Sequence, residues 1–339
     1  MKKSGLFRAT GGRLVSRNLP DGKWSVAELL LWTTPLVVLF ALPGYLVLGS
    51  QIFVAALFAL SLDLILGYAG IVSLGHAASF GVGAYTAGLL SVHGWGEPIT
   101  GLLLGGLMAA ALGCLTSLLL VRLGELSRLM VTLGICLVLF EIANKASAVT
   151  GGGDGLSGMQ MWKILGLFEF DISGRVAYLY SLSVLLVIFI FLRRLASSPF
   201  GLSLRGIKQG IRRMPSLGTP VSKRLVLVYT LGAGIAGIAG ALLAQTTQFV
   251  GLDSLGFQRS ADVLVMLMLG GVGSLYGALA GSVVFIVAQS FLSSLNPIYW
   301  EFWLGLMLVV LVAFAKGGIA GTLHRVFVRL RNAKNGGAS

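Results

Sequence analysis

The sequence predicts an all-α integral membrane protein, a polytopic helix bundle of about ten spans. Of the 339 residues, 56% are hydrophobic and only 11% are charged, whereas soluble domains carry about 25% charge. The windows 98–121, 225–252 and 263–300 contain no charged residue, and a bilayer-spanning helix needs about 20 apolar residues. The 48 glycines suit closely packed membrane helices. We therefore expect broken or re-entrant glycine-rich helices within the bundle.

Apolar runs predict where each span begins and ends. The ten runs are 29–48, 50–66, 70–91, 98–120, 127–148, 176–193, 224–247, 260–274, 277–295 and 299–316. They form one transmembrane domain, 29–321, between a basic tail at 1–28 and a second basic tail at 322–339. The first tail lacks the apolar core of a cleavable secretory signal. The joint Gly270-Gly271-Val272-Gly273 separates the eighth and ninth runs, and it equally fits a re-entrant turn.

The distribution of Lys and Arg predicts the orientation. The stretch 193–224 holds eight basic residues and no acidic one, whereas 149–175 mixes both signs. Because cytoplasmic loops are enriched in Lys and Arg, the loop 194–224 and both termini are predicted to be cytoplasmic. The loop 149–175 then becomes periplasmic, and the protein lies in a bacterial inner membrane.

The basic loop 194–224 contains a predicted amphipathic helix. Pro199 and Pro215 frame it, and its apolar residues recur at near-helical spacing: Leu202, Leu204, Ile207, Ile211 and Met214. Such a helix suits docking into a cytoplasmic partner, but any basic loop is also attracted to anionic lipid. Composition leaves both interpretations open.

Glycine is concentrated between residues 67 and 88, just after Asp63 and around His76. Glycine weakens a helix and permits close backbone approach, so this stretch predicts a broken helix or a tight contact. A weak internal repeat relates 66–75 to 269–277, and Asp262 precedes the second copy as Asp63 precedes the first. Paired glycine-interrupted helices indicate a transport pathway, although chance explains so short a match equally well.

Few ionisable residues lie within the spans, and the candidates are Asp63, His76, Glu141, Asp262 and Glu301. Each is a functional candidate because charge in a bilayer is costly, and each has a structural alternative as a helix cap, a helix pair or an interfacial anchor. Cys114 and Cys136 fit buried apolar positions. The sequence shows no phosphate-binding loop, metal-ligand set or nucleophile–base group. We therefore predict no enzyme activity, no metal and no cofactor in this chain.

Five segments, in order, resemble the permease subunits of branched-chain amino-acid ABC importers of the LivM type. They are DLILGYAGIVSLGHAASFGVGAYTAGLL at 63–90, TGGGDGLSGM at 150–159, GLSLRGIKQ at 201–209, LGGVGSLYGALAG at 269–281 and YWEFWLGLMLVVLVAFAKGGIAG at 299–321. The resemblance covers about residues 30–321. It implies a heterodimer with a second homologous permease, two cytoplasmic ATPases that use the ATP, and a periplasmic substrate-binding protein.

The resemblance also implies roles for individual residues. Translocation-path candidates, taken together with the internal repeat, are Asp63, Gly67, Gly70, Gly75, His76, Gly81, Gly83, Gly270, Gly271 and Gly273. The ATPase-coupling loop would use Leu204, Arg205, Gly206, Ile207, Lys208 and Ile211. Contacts with the binding protein would involve Gly151, Gly152, Asp154 and Gly155. Residues 209–216 depart from the family's coupling loop, because they lack any acid and Pro215 would end a helix that usually continues.

The sequence therefore predicts an importer subunit that translocates branched-chain or related amino acids with energy from partner ATPases. Urea and short amides are alternative substrates within the same architecture. A different class, the ion-coupled secondary transporter, would use Asp63 and Asp262 as coupling sites in paired broken helices.

Overall fold

The computed structural model describes residues 26–41, 43–163, 174–297 and 299–306, and these ranges form a bundle of α-helices. The helices are α1 Val26–Ala41, α2 Leu46–Leu62, α3 His76–Val92, α4 Pro98–Leu120, α5 Glu125–Lys145, α6 Ser147–Thr150, α7 Arg175–Ser197, α8 Pro199–Gly210, α9 Val221–Thr247, α10 Phe257–Gly270 and α11 Leu275–Leu295. Residues 300–306 are also helical.

Six helical segments in these ranges are long and apolar enough to cross a membrane. They are Pro43–Tyr68, Pro98–Leu120, Glu125–Lys145, Arg175–Ser197, Val221–Thr247 and Leu275–Leu295. This confirms an integral membrane helix bundle, whereas ten spans and the orientation of the termini stay predictions. The second tail, most of the first, 164–173 of the predicted periplasmic loop and 307–316 of the last predicted span lie outside the described residues.

Several predicted span boundaries are wrong by a few residues, and the differences in α1 and at the start of α3 are the most informative. Helix α1 ends at Ala41 rather than near 48, because a short 3₁₀ turn begins at Pro43, whose ring removes a backbone donor and fixes φ. At its other end α1 includes Glu28, which was assigned to the tail and forms an ion pair of 3.0 Å with Arg193 of α7. The third predicted span begins at His76 rather than at 70.

The late start of α3 reflects a genuine break in the glycine-rich stretch. Helix α2 continues into a π-helical turn, Asp63–Tyr68, and the chain then leaves helical geometry until His76. Gly70 has φ +74°, a left-handed conformation that glycine adopts without steric cost. The glycine-rich stretch therefore contains a non-helical connection at 70–75 between α2 and α3, whereas a break within a single membrane span stays a prediction.

Helix α9 is central and packs against α2, α3 and α4, while α2 also packs against α7 and α11. Glycines allow some of these backbones to touch. A side chain at Gly83 of α3 would overlap the backbone of Gly237 on α9, and one at Gly240 would overlap the carbonyl of Phe80. Helices α10 and α11 form an antiparallel pair, in which a side chain at Gly270 would overlap the carbonyl of Gly277. The joint at 271–274 is therefore a tight turn between two packed helices.

The predicted amphipathic helix forms α8. The Ser198 hydroxyl caps its first turn by accepting a hydrogen bond from the Gly201 amide at 3.4 Å, and Leu204 and Ile207 bury its apolar face. The helix ends at Gly210, before Pro215 and earlier than the predicted residue 214, and a 3₁₀ turn follows at Pro215–Leu217.

Candidate functional site

The two glycine-rich breaks meet in space. The Asp63 side chain is fully buried at the start of the π-helical turn, and its Oδ1 accepts a hydrogen bond of 2.6 Å from the Gly273 amide in the turn between α10 and α11. Its Oδ2 is buried without a partner among the described residues. A side chain at Gly67 would overlap the Asp63 carboxylate. The contact therefore requires glycine at position 67.

Helix α8 lies directly on the same turn. The Lys208 ammonium donates a hydrogen bond of 2.7 Å to the Gly67 carbonyl, and the Arg205 guanidinium lies 5.0 Å from the centre of the Tyr68 ring. We call Asp63, Gly67, Lys208 and Gly273 the turn cluster. It joins α8 to the end of α2 and, through Gly273, to the pair α10 and α11.

The remaining path candidates divide between this region and helix packing. Gly70 lies beside the Lys208 side chain, and Gly270 and Gly271 end α10 next to Gly273. In contrast, three glycines allow close contacts between elements, each at a position where a side chain would overlap its neighbour: Gly75 at the Thr132 carbonyl, Gly81 at Leu255 and Gly83 at Gly237.

His76 is packed inside the bundle. The ring is 1% exposed and stacks on Phe58, with 5.4 Å between centroids and 2° between planes. Its Nε2 is 2.7 Å from the Ser61 hydroxyl, which itself lies 2.6 Å from the Phe58 carbonyl. A hydroxyl that donates to the carbonyl accepts from the ring. His76 thus joins α3 to α2, with Nδ1 buried and unpartnered within the described residues.

The other predicted groups are more exposed. In the coupling set, Ile211 is 49% exposed and Gly206 approaches Met214. Glu141 forms an exposed ion pair of 3.4 Å with Lys145. Asp262 accepts a long hydrogen bond of 3.5 Å from Gln258, and Glu301 is exposed. Among the described residues, no group of three or more His, Cys, Asp and Glu side chains is arranged to hold a metal.

The predicted binding-protein contacts form a glycine turn that packs on a second segment. Gly151, Gly152 and Gly155 all have positive φ, and Asp154 is exposed. The next residue, Leu156, exchanges two backbone hydrogen bonds with Val250, of 2.8 and 3.1 Å. Segment 248–256 therefore packs against this turn. Its Asp253 holds Arg259 of α10 in an ion pair of 3.1 Å.

A cavity of about 370 Å³ lies between α2, α3, α9, α10 and α11. Its walls are apolar except for five side chains: Gln51, Arg259, Gln289, Ser290 and Ser293. Sequence reasoning missed all five, and none of the predicted path residues lines this cavity. The available signal was the occurrence of Gln51 and Gln289 within two otherwise apolar spans. Three of the helices that line the cavity, α2, α10 and α11, are also the helices that the turn cluster connects.

A membrane-spanning bundle with two glycine-rich turns in contact and a partly polar cavity suits a membrane permease. The family model described as the permease component of the branched-chain amino acid transport system matches residues 44–315. The chain belongs to this family. It is accordingly a multi-pass membrane protein, and the family places it in the bacterial inner membrane.

Three relatives each share 27% identity with this chain over the regions that they match. The high-affinity branched-chain amino acid transport system permease protein LivM of Escherichia coli (strain K12) is 27% identical over 97% of this chain and 83% of its own length. The LivM protein of Salmonella typhimurium (strain LT2) is also 27% identical, over 93% and 80%. The permease protein LivH of Salmonella typhimurium is 27% identical over 43% of this chain and 46% of its own length. No solved structure matches the chain significantly.

Proposed function

We propose that this chain is the membrane-spanning subunit of an ATP-driven importer for branched-chain or related amino acids. It would pair with a second homologous permease, two cytoplasmic ATPases and a periplasmic substrate-binding protein. The single observation that carries the proposal is the seat of α8 on the turn cluster, with Lys208 bonded to the Gly67 carbonyl. The similarity to both LivM and LivH supports the paired permease.

The proposed orientation places α8 and the loop 194–224 in the cytoplasm and the loop 149–175 in the periplasm. The domain organisation then consists of a cytoplasmic tail, a permease domain and a second cytoplasmic tail. Chain direction supports this arrangement internally. The π-helical turn Asp63–Tyr68 contacts the turn 271–274, and both lie near α8. Helix α9 begins near α8, and the glycine turn 151–155 packs near the other end of α9.

Coupling would run from α8 to the cavity through the turn cluster. When the ATPases close, α8 shifts, and Lys208 carries the Gly67 carbonyl with it. Asp63 transmits the displacement to Gly273, because its carboxylate accepts a hydrogen bond from the Gly273 amide. A hydrogen bond to a charged group is strong in a buried site. Gly273 joins α10 to α11, and those helices supply four of the five polar residues of the cavity. ATP is used by the partners, and this chain contributes no cofactor.

The experiment compares two lysines of the same loop in proteoliposomes containing the complete importer. Lys208→Met removes the bond to Gly67, whereas Lys223→Met removes an exposed charge at the start of α9. We expect Lys208→Met to lower uptake per ATP hydrolysed by about 10- to 100-fold, as loss of one charge-assisted hydrogen bond implies. Lys223→Met should stay within about twofold, as is usual for exposed sites.

Two results would count against the proposal. Amino-acid uptake by the chain without any ATPase, driven by an ion gradient, would exclude ATP coupling. Equal uptake per ATP in Lys208→Met and Lys223→Met would show that α8 transmits nothing through this contact. Uptake of urea or short amides in place of amino acids would keep the architecture and change the substrate class.

A second candidate, the ion-coupled secondary transporter, is favoured by one observation. The Asp63 carboxylate keeps one buried oxygen without a partner among the described residues, as a cation-coupling group would. Asp262 is the second acid that this mechanism needs. Asp63→Asn and Asp262→Asn should each abolish the proton or sodium dependence of uptake in that case. Unchanged ion dependence in both variants removes this candidate.

A further inference from the structure

The polar residues of the cavity are unusual for their location. Gln51 lies in the span Pro43–Tyr68, and Gln289, Ser290 and Ser293 lie in the span Leu275–Leu295. Gln289 and Ser293 are partly buried, whereas Gln51 and Ser290 are exposed. Polar side chains in a membrane-spanning bundle face the interior or a water-filled path, because lipid offers them no hydrogen bonds. Their convergence on one cavity indicates a compartment for a polar solute.

Arg259 supplies the positive charge among the residues that line the cavity. Its guanidinium is bound by Asp253 at 3.1 Å and lies 6.0 Å from the centre of the Phe80 ring. The ion pair uses Nη2, and a guanidinium has five N–H donors in a planar fork. The guanidinium therefore keeps N–H donors that this ion pair does not use, and a guanidinium recognises a carboxylate through two parallel hydrogen bonds.

The remaining walls fit the rest of an aliphatic amino acid. Leu48, Val54 and Ile286 are among the apolar residues that would contact its side chain. The amide oxygens of Gln51 and Gln289 are acceptors for an ammonium group. A volume of about 370 Å³ is near the lower end of the range for small-molecule sites, about 300–1,000 Å³.

We propose that this cavity is an amino-acid binding site on the translocation path, in which Arg259 binds the substrate carboxylate. The ligand class is the zwitterionic α-amino acid with an aliphatic side chain. Urea and short amides lack the carboxylate and leave Arg259 without its ligand. The inference rests on the proposed function and adds to it a site, a recognising residue and a choice between its substrate classes.

The test labels a cysteine placed in the cavity of the complete importer in proteoliposomes. Ser290→Cys is treated with membrane-impermeant methanethiosulfonates, one anionic and one cationic, with the parent chain measured as background for Cys114 and Cys136. Val287→Cys is the matched control, because Val287 is exposed on the same helix and does not line the cavity. The probe ligand is leucine, delivered on the binding protein with ATP.

We expect the anionic reagent to label Ser290→Cys faster than the cationic one, and leucine to slow that labelling by at least about threefold. At Val287→Cys, neither the faster labelling by the anionic reagent nor the protection by leucine should occur. Adding Arg259→Gln should remove the charge preference and the protection and lower uptake by about 10- to 100-fold, the usual effect of losing a hydrogen-bonded charge. Arg259→Lys should restore the charge preference, since it keeps the positive charge.

Asp253→Asn separates binding from a structural role for the ion pair. It breaks the same pair but leaves the guanidinium in the cavity, and Asp253 is 69% exposed. We expect protection by leucine and uptake within about twofold of the parent, as for other exposed pairs. Loss of leucine protection in Asp253→Asn as severe as in Arg259→Gln would assign Arg259 to the ion pair alone.

The outcomes also distinguish this inference from the proposed function. No ATP-dependent uptake of any amino acid by the parent would overturn the proposed function. Uptake by the parent together with a Ser290→Cys that leucine does not protect would overturn only the carboxylate site. An unreactive Ser290→Cys would also overturn that site, because it would show that a partner side chain or lipid fills the cavity. If Arg259→Gln fails to assemble, charge preference and protection in Ser290→Cys decide the question alone.

Discussion

The bundle is held together at its two ends by different forces. At the α8 end, the turn cluster joins three elements through a fully buried carboxylate and a charge-assisted bond to a backbone carbonyl. At the other end, the glycine turn 151–155 is joined to segment 248–256 by two backbone hydrogen bonds between Leu156 and Val250. The Asp253 carboxylate that continues this connection to Arg259 is 69% exposed.

This difference predicts different mechanical behaviour. A buried hydrogen bond to a charged group is strong, and breaking it leaves an unsatisfied polar group, so the turn cluster moves as one unit. An exposed ion pair contributes little free energy and rearranges easily. In the proposed importer, the α8 end would therefore transmit force from a partner, and the opposite end would adapt when a partner docks.

The largest loss of stability is expected at His76, beside the turn cluster. His76→Ala removes a fully buried ring stacked on Phe58 and bonded to Ser61, and the cavity left behind should lower the free energy of unfolding by about 3 kcal/mol. The measurement is thermal unfolding of the purified protein, combined with uptake per folded molecule. Uptake within twofold of wild type would assign the ring to packing, and a larger loss would make it part of the path.

Next in size is the buried carboxylate. Asp63→Leu leaves the Gly273 amide without its acceptor and should cost about 1–3 kcal/mol of stability, as for other unsatisfied buried groups. Asp63→Asn keeps an oxygen acceptor of the same shape and serves as the control. Uptake should fall at least about 10-fold in the first variant and much less in the second. Equal uptake in the two variants would remove Asp63 from the coupling path.

A pair of glycines compares the two ends directly. A side chain at Gly67 would overlap the Asp63 carboxylate, whereas one at Gly153 meets nothing within 4 Å. Gly67→Ala should therefore destabilise the protein by about 1–2 kcal/mol through overpacking, and Gly153→Ala should change its stability by less than about 0.5 kcal/mol. Thermal unfolding in detergent measures both. If Gly153→Ala costs as much as Gly67→Ala, the two ends are equally rigid.

The smallest effect is expected for the exposed ion pair. Asp253→Asn removes the partner of Arg259 at an exposed site, and its effect on the free energy of unfolding should stay below about 1 kcal/mol. Raising the salt concentration should reduce even that difference, because exposed charges are screened. A loss comparable with that of Asp63→Leu would show that both ends are held with similar strength.

Local pattern made much of the fold predictable. The apolar windows located the membrane helices, and the spacing of Leu204 and Ile207 between two prolines predicted α8. Both signals depend on residues close in the chain. The errors also have local causes: Pro43 ended α1 early, and the left-handed Gly70 delayed the start of α3 until His76. The periodicity of apolar residues predicts that a helix is present more reliably than it predicts where the helix begins and ends.

The candidate site was predicted less completely. The glycine-rich breaks were identified, and Asp63 with them, but three of the other path glycines, Gly75, Gly81 and Gly83, allow close packing between elements instead. The polar cavity residues were missed because Gln51 and Gln289 look like isolated polar residues in separate helices. Their common location depends on how α2 and α11 pack, which no short window records.

The sequence by itself determined the membrane bundle, the family, the basic amphipathic helix and the two glycine-rich breaks, because composition, periodicity and backbone freedom are local properties. Only the tertiary structure decided that the two breaks touch through Asp63 and Gly273, that Lys208 binds the Gly67 carbonyl, and that five polar side chains meet in one cavity. Those contacts join residues far apart in the chain, and packing of the helices alone brings them together.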